Sequence, residues 1–149
     1  AVDGAIQYRG GMDPEDIINQ LELTPHPEGG AFRETWRDTP QDGSRGSGTA
    51  IYYLLREGER SRRHRVDAAE IWHYHAGAPL ELMIETVEGA PERRVLGMSL
   101  DADEAPQILV PPGAWQSARS LGAWTLVGCT VSPAFDFAFF ELDPEDTLD

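Results

Sequence analysis

The sequence predicts an all-β fold, an antiparallel sandwich or barrel, with one short helix on its N-terminal side. Three observations carry that expectation. Short β-prone runs recur from Ala31 to Leu142. Turn signals such as Glu88-Gly89, Pro111-Pro112-Gly113 and Leu121-Gly122 separate them. Only one stretch, near the N-terminal side, repeats its apolar residues at helical spacing.

Residues 1–12 carry little pattern and read as a flexible arm, or as an arm that docks on a partner subunit. Asp13-Pro14-Glu15-Asp16 has the marks of a helix start: an aspartate cap, proline at the first helical position and acids in the first turn. Ile17, Ile18, Leu21 and Leu23 supply the apolar stripe, and Thr24-Pro25 ends it. His26-Pro27-Glu28-Gly29-Gly30 reads as a turn, Ala31 to Arg37 as a strand, and Asp38 to Gly48 as a loop. Thr49 to Leu55 is strongly β-prone. Further strands are expected at Leu80–Val87, Arg93–Ser99, Ala105–Val110, Ser117–Ser120, Trp124–Ser132 and Phe135–Leu142. The acidic tail, 143–149, is expected to fray. The 149 residues fit a single domain over 13–142, with no internal repeat.

Composition narrows the partners. The net charge is −14 and the chain has no lysine. Acidity of this degree argues against nucleic acid and anionic membranes. Absence of lysine removes Schiff-base chemistry. No long apolar run and no basic-then-apolar leader is present, and Cys129 is the single cysteine. A soluble protein in a reducing, cytoplasmic setting is therefore expected. Arg56, Arg60, Arg62, Arg63 and Arg65 cluster around His64. They read either as a solvated face that offsets acidic neighbours or as a funnel for an anionic small molecule.

The stretch Gly58 to Gly77 organises the rest. Five residues separate Gly58 from His64, Val66 follows at the second position beyond, then Glu70 after three more residues and Gly77 after six. This resembles the first signature of the cupins, with Val66 where a second histidine belongs. Pro111-Pro112-Gly113-Ala114-Trp115-Gln116 resembles the turn of the second signature, with Gln116 in the place of its histidine, Ala105 for its leading glycine and Ser120 for its terminal asparagine. The wider text is similar to the small cupins grouped as domain of unknown function 985. Pro25-His26-Pro27-Glu28-Gly29-Gly30, Phe32-Arg33-Glu34-Thr35, Ala50-Ile51-Tyr52-Tyr53-Leu54-Leu55, Glu70-Ile71-Trp72-His73 and Val127 to Phe137 carry this likeness. It implies a jelly-roll β-barrel (a double-stranded β-helix) and a homodimer, with the N-terminal arm or an edge strand expected to extend the partner's sheet. A shorter likeness, Gly29 to Trp36 with Arg63-His64, is to dTDP-4-dehydrorhamnose 3,5-epimerase, a metal-free cupin that uses a histidine base.

The resemblance implies a site at His64 and Glu70. A cupin metal cage takes three histidines and a glutamate. Val66 cannot ligate and Gln116 offers only an amide oxygen, so no tightly bound cofactor is expected. A divalent metal on His64, Glu70 and Gln116 is the minority alternative. Strand parity places Arg62 and Val66 on the face of His64, and Trp72 and Tyr74 on that of Glu70. His73 and His75 then point away. His26 is expected to make a structural hydrogen bond, and Cys129 to be buried and inert.

The expected activity is a metal-independent isomerase or epimerase acting α to a carbonyl, on a sugar-like or anionic metabolite. His64 is the base, tuned by Glu70 and the arginines, and Tyr52, Tyr53 or Tyr74 returns the proton. Arg33 or Arg62 holds an anionic group, Gln116 the carbonyl oxygen, and Trp72 and Trp115 form walls. The alternatives are a ligand-binding or sensing cupin without turnover, and a metal-dependent oxygenase or lyase.

Overall fold

The computed structural model describes residues 13–146; the expected arm, 1–12, lies outside them. Helix α1 (Pro14–Leu21) forms as its cap predicts. The Asp13 side chain accepts from the Asp16 backbone, and the Asp16 side chain accepts in return from the Asp13 backbone. The helix stops before Thr24-Pro25, because Glu22 adopts the left-handed conformation that closes a helix. Thr24–Pro25 is instead a two-residue strand, β1, paired with β2 (Ala31–Arg37).

Nine strands follow: β3 (Thr49–Arg56), β4 (Arg60–Val66), β5 (Ala69–Gly77), β6 (Leu80–Glu85), β7 (Glu92–Leu96), β8 (Gln107–Val110), β9 (Trp115–Ser120), β10 (Trp124–Ser132) and β11 (Phe140–Leu142). They form two antiparallel sheets. One has the order β1-β2-β3-β10-β5-β8 and the other β11-β4-β9-β6-β7. The two sheets face one another in the jelly-roll arrangement. The core between them holds Trp72, Leu80, Leu82, Leu96, Ile108, Val110 and Val127. A second, smaller cluster lies outside the six-stranded sheet, where Ile17 and Leu23 cover Ala31 and Leu54.

One segment differs from expectation. Phe135–Leu142 is not one strand. The Asp136 side chain accepts from the Ala138 backbone and turns Phe137–Phe139 into a short 3-10 helix, so only Phe140–Leu142 is extended. The described part of the tail, 143–146, makes specific contacts. Asp143 and Asp146 are tied to β4: Arg63 Nε donates to Asp143, Arg60 pairs with Asp146, and Arg62 Nε donates to the Asp146 carbonyl.

These contacts account for the arginine cluster. Arg65 pairs with Glu141 at 2.8 Å and Arg63 with Glu85 at 2.8 Å, while Arg63 and Arg65 both pack against the Trp115 ring. The arginines therefore clasp the C-terminal segment to β4, and the solvated, charge-offsetting face is the reading the structure matches.

Candidate active site

A cavity of about 430 Å³ opens at one end of the barrel. His26, Glu28, Tyr53, His64, Glu70 and Cys129 give it polar groups, among apolar walls that include Val66, Phe135 and Phe137. A mostly apolar recess with a few convergent polar side chains is the usual form of a small-molecule site.

His64 enters from β4 and is 3% exposed. The pairing of β4 with β9 shifts register between Ser61 and His64, so Ser61 and His64 both turn inward. This irregularity defeats simple alternation. Arg62 is carried outward to Asp146 and does not line the cavity. The His64 ring is fixed on one side by its Nδ1, 2.6 Å from the Arg62 carbonyl oxygen. That contact requires the proton on Nδ1. Nε2 then faces Glu28 Oε2 at 3.3 Å.

Glu28 is the residue that sequence reasoning missed. It is 5% exposed, and its Oε1 accepts from Tyr53 Oη at 3.1 Å and from Ser61 Oγ. Its position comes from the turn around it. The Gly29 N–H donates to the His26 carbonyl, and the Arg62 N–H donates to the Glu28 carbonyl. Gly29 has φ +115°, and a Cβ there would sit 2.0 Å from the Arg60 carbonyl oxygen. Only glycine allows the turn to lie this close to β4. The available signal was a glutamate between a proline and two glycines, a strained turn that presents one acidic side chain.

Glu70 enters from β5 in the facing sheet and is 8% exposed. Its Oε1 accepts from Gln116 Nε2 at 2.9 Å, and the Cys129 thiol hydrogen-bonds to it as well. Burial pushes its pKa up to about 6. Glu28 adds to that rise, while His64 and the two hydrogen bonds work against it. Gln116 in turn accepts from Trp72 Nε1 at 2.8 Å. Cys129 is 1% exposed, and burial holds its thiol well above its ordinary pKa, so it serves as a neutral donor.

The other expected site residues divide in two. Arg33 stands at the cavity rim, with Nη1 3.3 Å from the Leu21 carbonyl oxygen. Trp72 and Gln116 lie behind Glu70 and do not line the cavity. Tyr74 packs on the core with its hydroxyl donating to the Gly77 carbonyl at 2.5 Å, and Trp115 lies under the arginines outside the barrel. His73 bonds Thr130 Oγ1 and His75 lies against Gly128, both on the outer face. Parity placed this pair correctly.

The residues do not fit a metal cage. Tryptophan is a donor only, so the Gln116 oxygen faces Trp72 and its amide nitrogen faces Glu70. The one atom of Gln116 that could ligate points away from Glu70. Val66 contributes no donor. Among the described residues no group of three or more His, Cys, Asp or Glu is arranged to hold a metal ion.

Comparison with known proteins places this arrangement. The family model described as Cupin superfamily (DUF985) matches residues 15–143. Among solved structures, a Shewanella oneidensis protein is 42% identical, with TM-score 0.84, over 89% of this chain and 85% of that one. A hypothetical protein from Leishmania major is 31% identical, with TM-score 0.81, over 89% of this chain and 88% of the other. Oxalate decarboxylase from Bacillus subtilis is 16% identical, with TM-score 0.62, over 79% of this chain and 29% of that enzyme. That last likeness is one of fold alone. No curated protein matches the chain.

Proposed function

Since this chain belongs to the DUF985 branch of the cupin superfamily, we propose that its barrel is a metal-independent isomerase or epimerase. The reaction is proton transfer at carbon α to a carbonyl, in a small sugar-like metabolite. The observation that carries this reading is the pair formed by His64 and Glu28. With Nδ1–H committed to the Arg62 carbonyl, Nε2 is the ring nitrogen left to exchange a proton with substrate, and it stands 3.3 Å from a buried carboxylate. A proton taken from substrate onto Nε2 turns that contact into an ion pair, so Glu28 stabilises the imidazolium.

Glu70 is the second acid–base group. It comes from the opposite sheet, and a carboxyl with pKa near 6 exchanges protons readily at neutral pH. Two such groups on facing walls suit removal of a proton from one face of a carbon and its return to the other. The polar end of the cavity is rich in acceptors, which favours hydroxyl groups there. An anionic substituent is directed to the rim, beside Arg33.

The test is solvent-deuterium incorporation, read by NMR, into D-fructose, D-tagatose, L-rhamnulose and dihydroxyacetone. Exchange is expected for at least one ketose, unchanged by prior chelator treatment. His64→Ala and Glu28→Gln should each slow it by about 10²- to 10⁴-fold. No exchange above the His64→Ala level would remove the reading. In that case, thermal stabilisation by the same sugars would point to a binding module without turnover. Loss of exchange on chelation, restored by a divalent metal, would favour the metal-dependent alternative.

A further inference from the structure

In the reaction just proposed, the negative charge that develops on the carbonyl oxygen needs a hydrogen-bond donor, and Gln116 cannot serve. Its amide nitrogen is spent on Glu70 and its oxygen on Trp72. The cavity holds another candidate, on the turn that sets Glu28. We propose that His26 is a catalytic residue whose neutral ring, protonated on Nε2, donates a hydrogen bond to the substrate's carbonyl oxygen. The proposal rests on the isomerase reading and assigns to it the missing electrophile.

The tautomer follows from the turn. The Glu28 backbone N–H donates to His26 Nδ1 at 3.1 Å. An atom that accepts this bond carries no proton, so the neutral ring must carry its proton on Nε2. The side chain is 8% exposed and lines the cavity. Among the described residues nothing is hydrogen-bonded to Nε2, which leaves a buried donor open to a ligand. The ring is held edge-on against Phe32 at 4.4 Å and lies 5.2 Å from Tyr53. Burial lowers its pKa first. Glu28 opposes that, with Oε2 3.9 Å from Nδ1, and His64 reinforces it. A neutral imidazole is the form suited to hold an enolate oxygen, because it donates without surrendering its proton.

The electron count closes without a co-reactant. His64 Nε2 takes the α-proton, and the C–H pair becomes the new carbon–carbon double bond. The carbonyl π pair moves onto oxygen, where His26 Nε2–H holds it. Return of a proton to carbon, from Glu70 for inversion, restores the carbonyl.

The test uses two measurements on the whole chain. The first is the ¹⁵N spectrum of the imidazoles in labelled wild-type protein. His26 should show a bare Nδ1 and a protonated Nε2 throughout the neutral range. A ring protonated on Nδ1, or doubly protonated at pH 7, overturns the proposal. The second is deuterium exchange with whichever ketose of the panel reacts fastest. His26→Asn keeps an oxygen that can accept the Glu28 N–H but offers no donor at the Nε2 position. It should lower kcat by about 100-fold or more with little change in KM. His26→Gln, whose amide nitrogen reaches that position, should recover part of the loss. Exchange by His26→Asn at the wild-type rate overturns the role of His26 and leaves the isomerase reading standing. If wild-type protein exchanges no ketose, the isomerase reading fails and this role fails with it.

Discussion

Glu70 takes hydrogen bonds from Gln116 and Cys129, yet burial raises its pKa from 4.5 to about 6. A carboxyl whose folded pKa exceeds its unfolded value stabilises the fold when protonated. That contribution is complete below about pH 4.5 and is lost as pH rises through about 6. Glu70→Gln should therefore gain on wild type as pH is raised from 4.5 to 7.5. The gain should be roughly 2 kcal/mol, read by urea denaturation at the two pH values. A difference that does not change with pH would contradict the dominance of burial over these hydrogen bonds at Glu70. Residues differ in how far sequence alone exposes such roles. His64 and Glu70 were legible because their spacing within Gly58–Gly77 is a signature. Glu28 and His26 were not, since their burial depends on a glycine turn packed against the Arg60 carbonyl, far away along the chain.

Among the elements, β4 and the segment that crosses it behave as one unit. Phe135 and Phe137 wall the cavity, Phe140 lies 5.5 Å from the His64 ring, and β11 pairs Leu142 with His64. The bonds that hold this segment are partly exposed ion pairs, worth little singly and weakened by salt. Arg63 makes one of them, to Asp143, pairs as well with Glu85 on β6, and packs on Trp115. Arg63→Ala should cost about 1 kcal/mol and speed amide exchange in residues 140–146, while Arg94→Ala on β7 leaves that exchange unchanged. Unaltered exchange in Arg63→Ala would show that the clasp does not hold the segment. Turn punctuation made most strands legible, and Trp124–Ser132 matches its expected bounds. Arg62 was misplaced because the register shift in β4 breaks the alternation on which parity depends, and an irregular pairing leaves no mark in composition. Phe135–Leu142 was misread because an apolar run does not reveal that Asp136 will cap a turn inside it.

For the whole molecule, the outer face of the six-stranded sheet carries a continuous row. Cross-strand partners run from Trp36 to Ala50, Thr130, Ile71 and Leu109, and Trp36 and Leu109 are 52% and 55% exposed. Helix α1 covers the other end of this face and leaves the row open. The homodimer implied by the family resemblance would cover it, since apolar patches of this kind mark interaction sites. Light scattering at micromolar concentration should give twice the chain mass of 16.5 kDa, and Trp36→Glu with Leu109→Glu should return it to one. A wild-type monomer would exclude this face as a dimer contact. No helix among the described residues is long and apolar enough to cross a membrane.

The clasp over β4 also has a consequence in time. Its partners lie 76 to 86 residues apart along the chain, so they meet only after a long loop has closed. The cavity gains its phenylalanine wall, and His64 its cover, only once that closure is made. A refolding experiment that follows amide protection in Phe140–Leu142, beside that of the paired strands β4 and β9, would therefore report the moment at which the site comes into existence, separately from the assembly of the barrel beneath it.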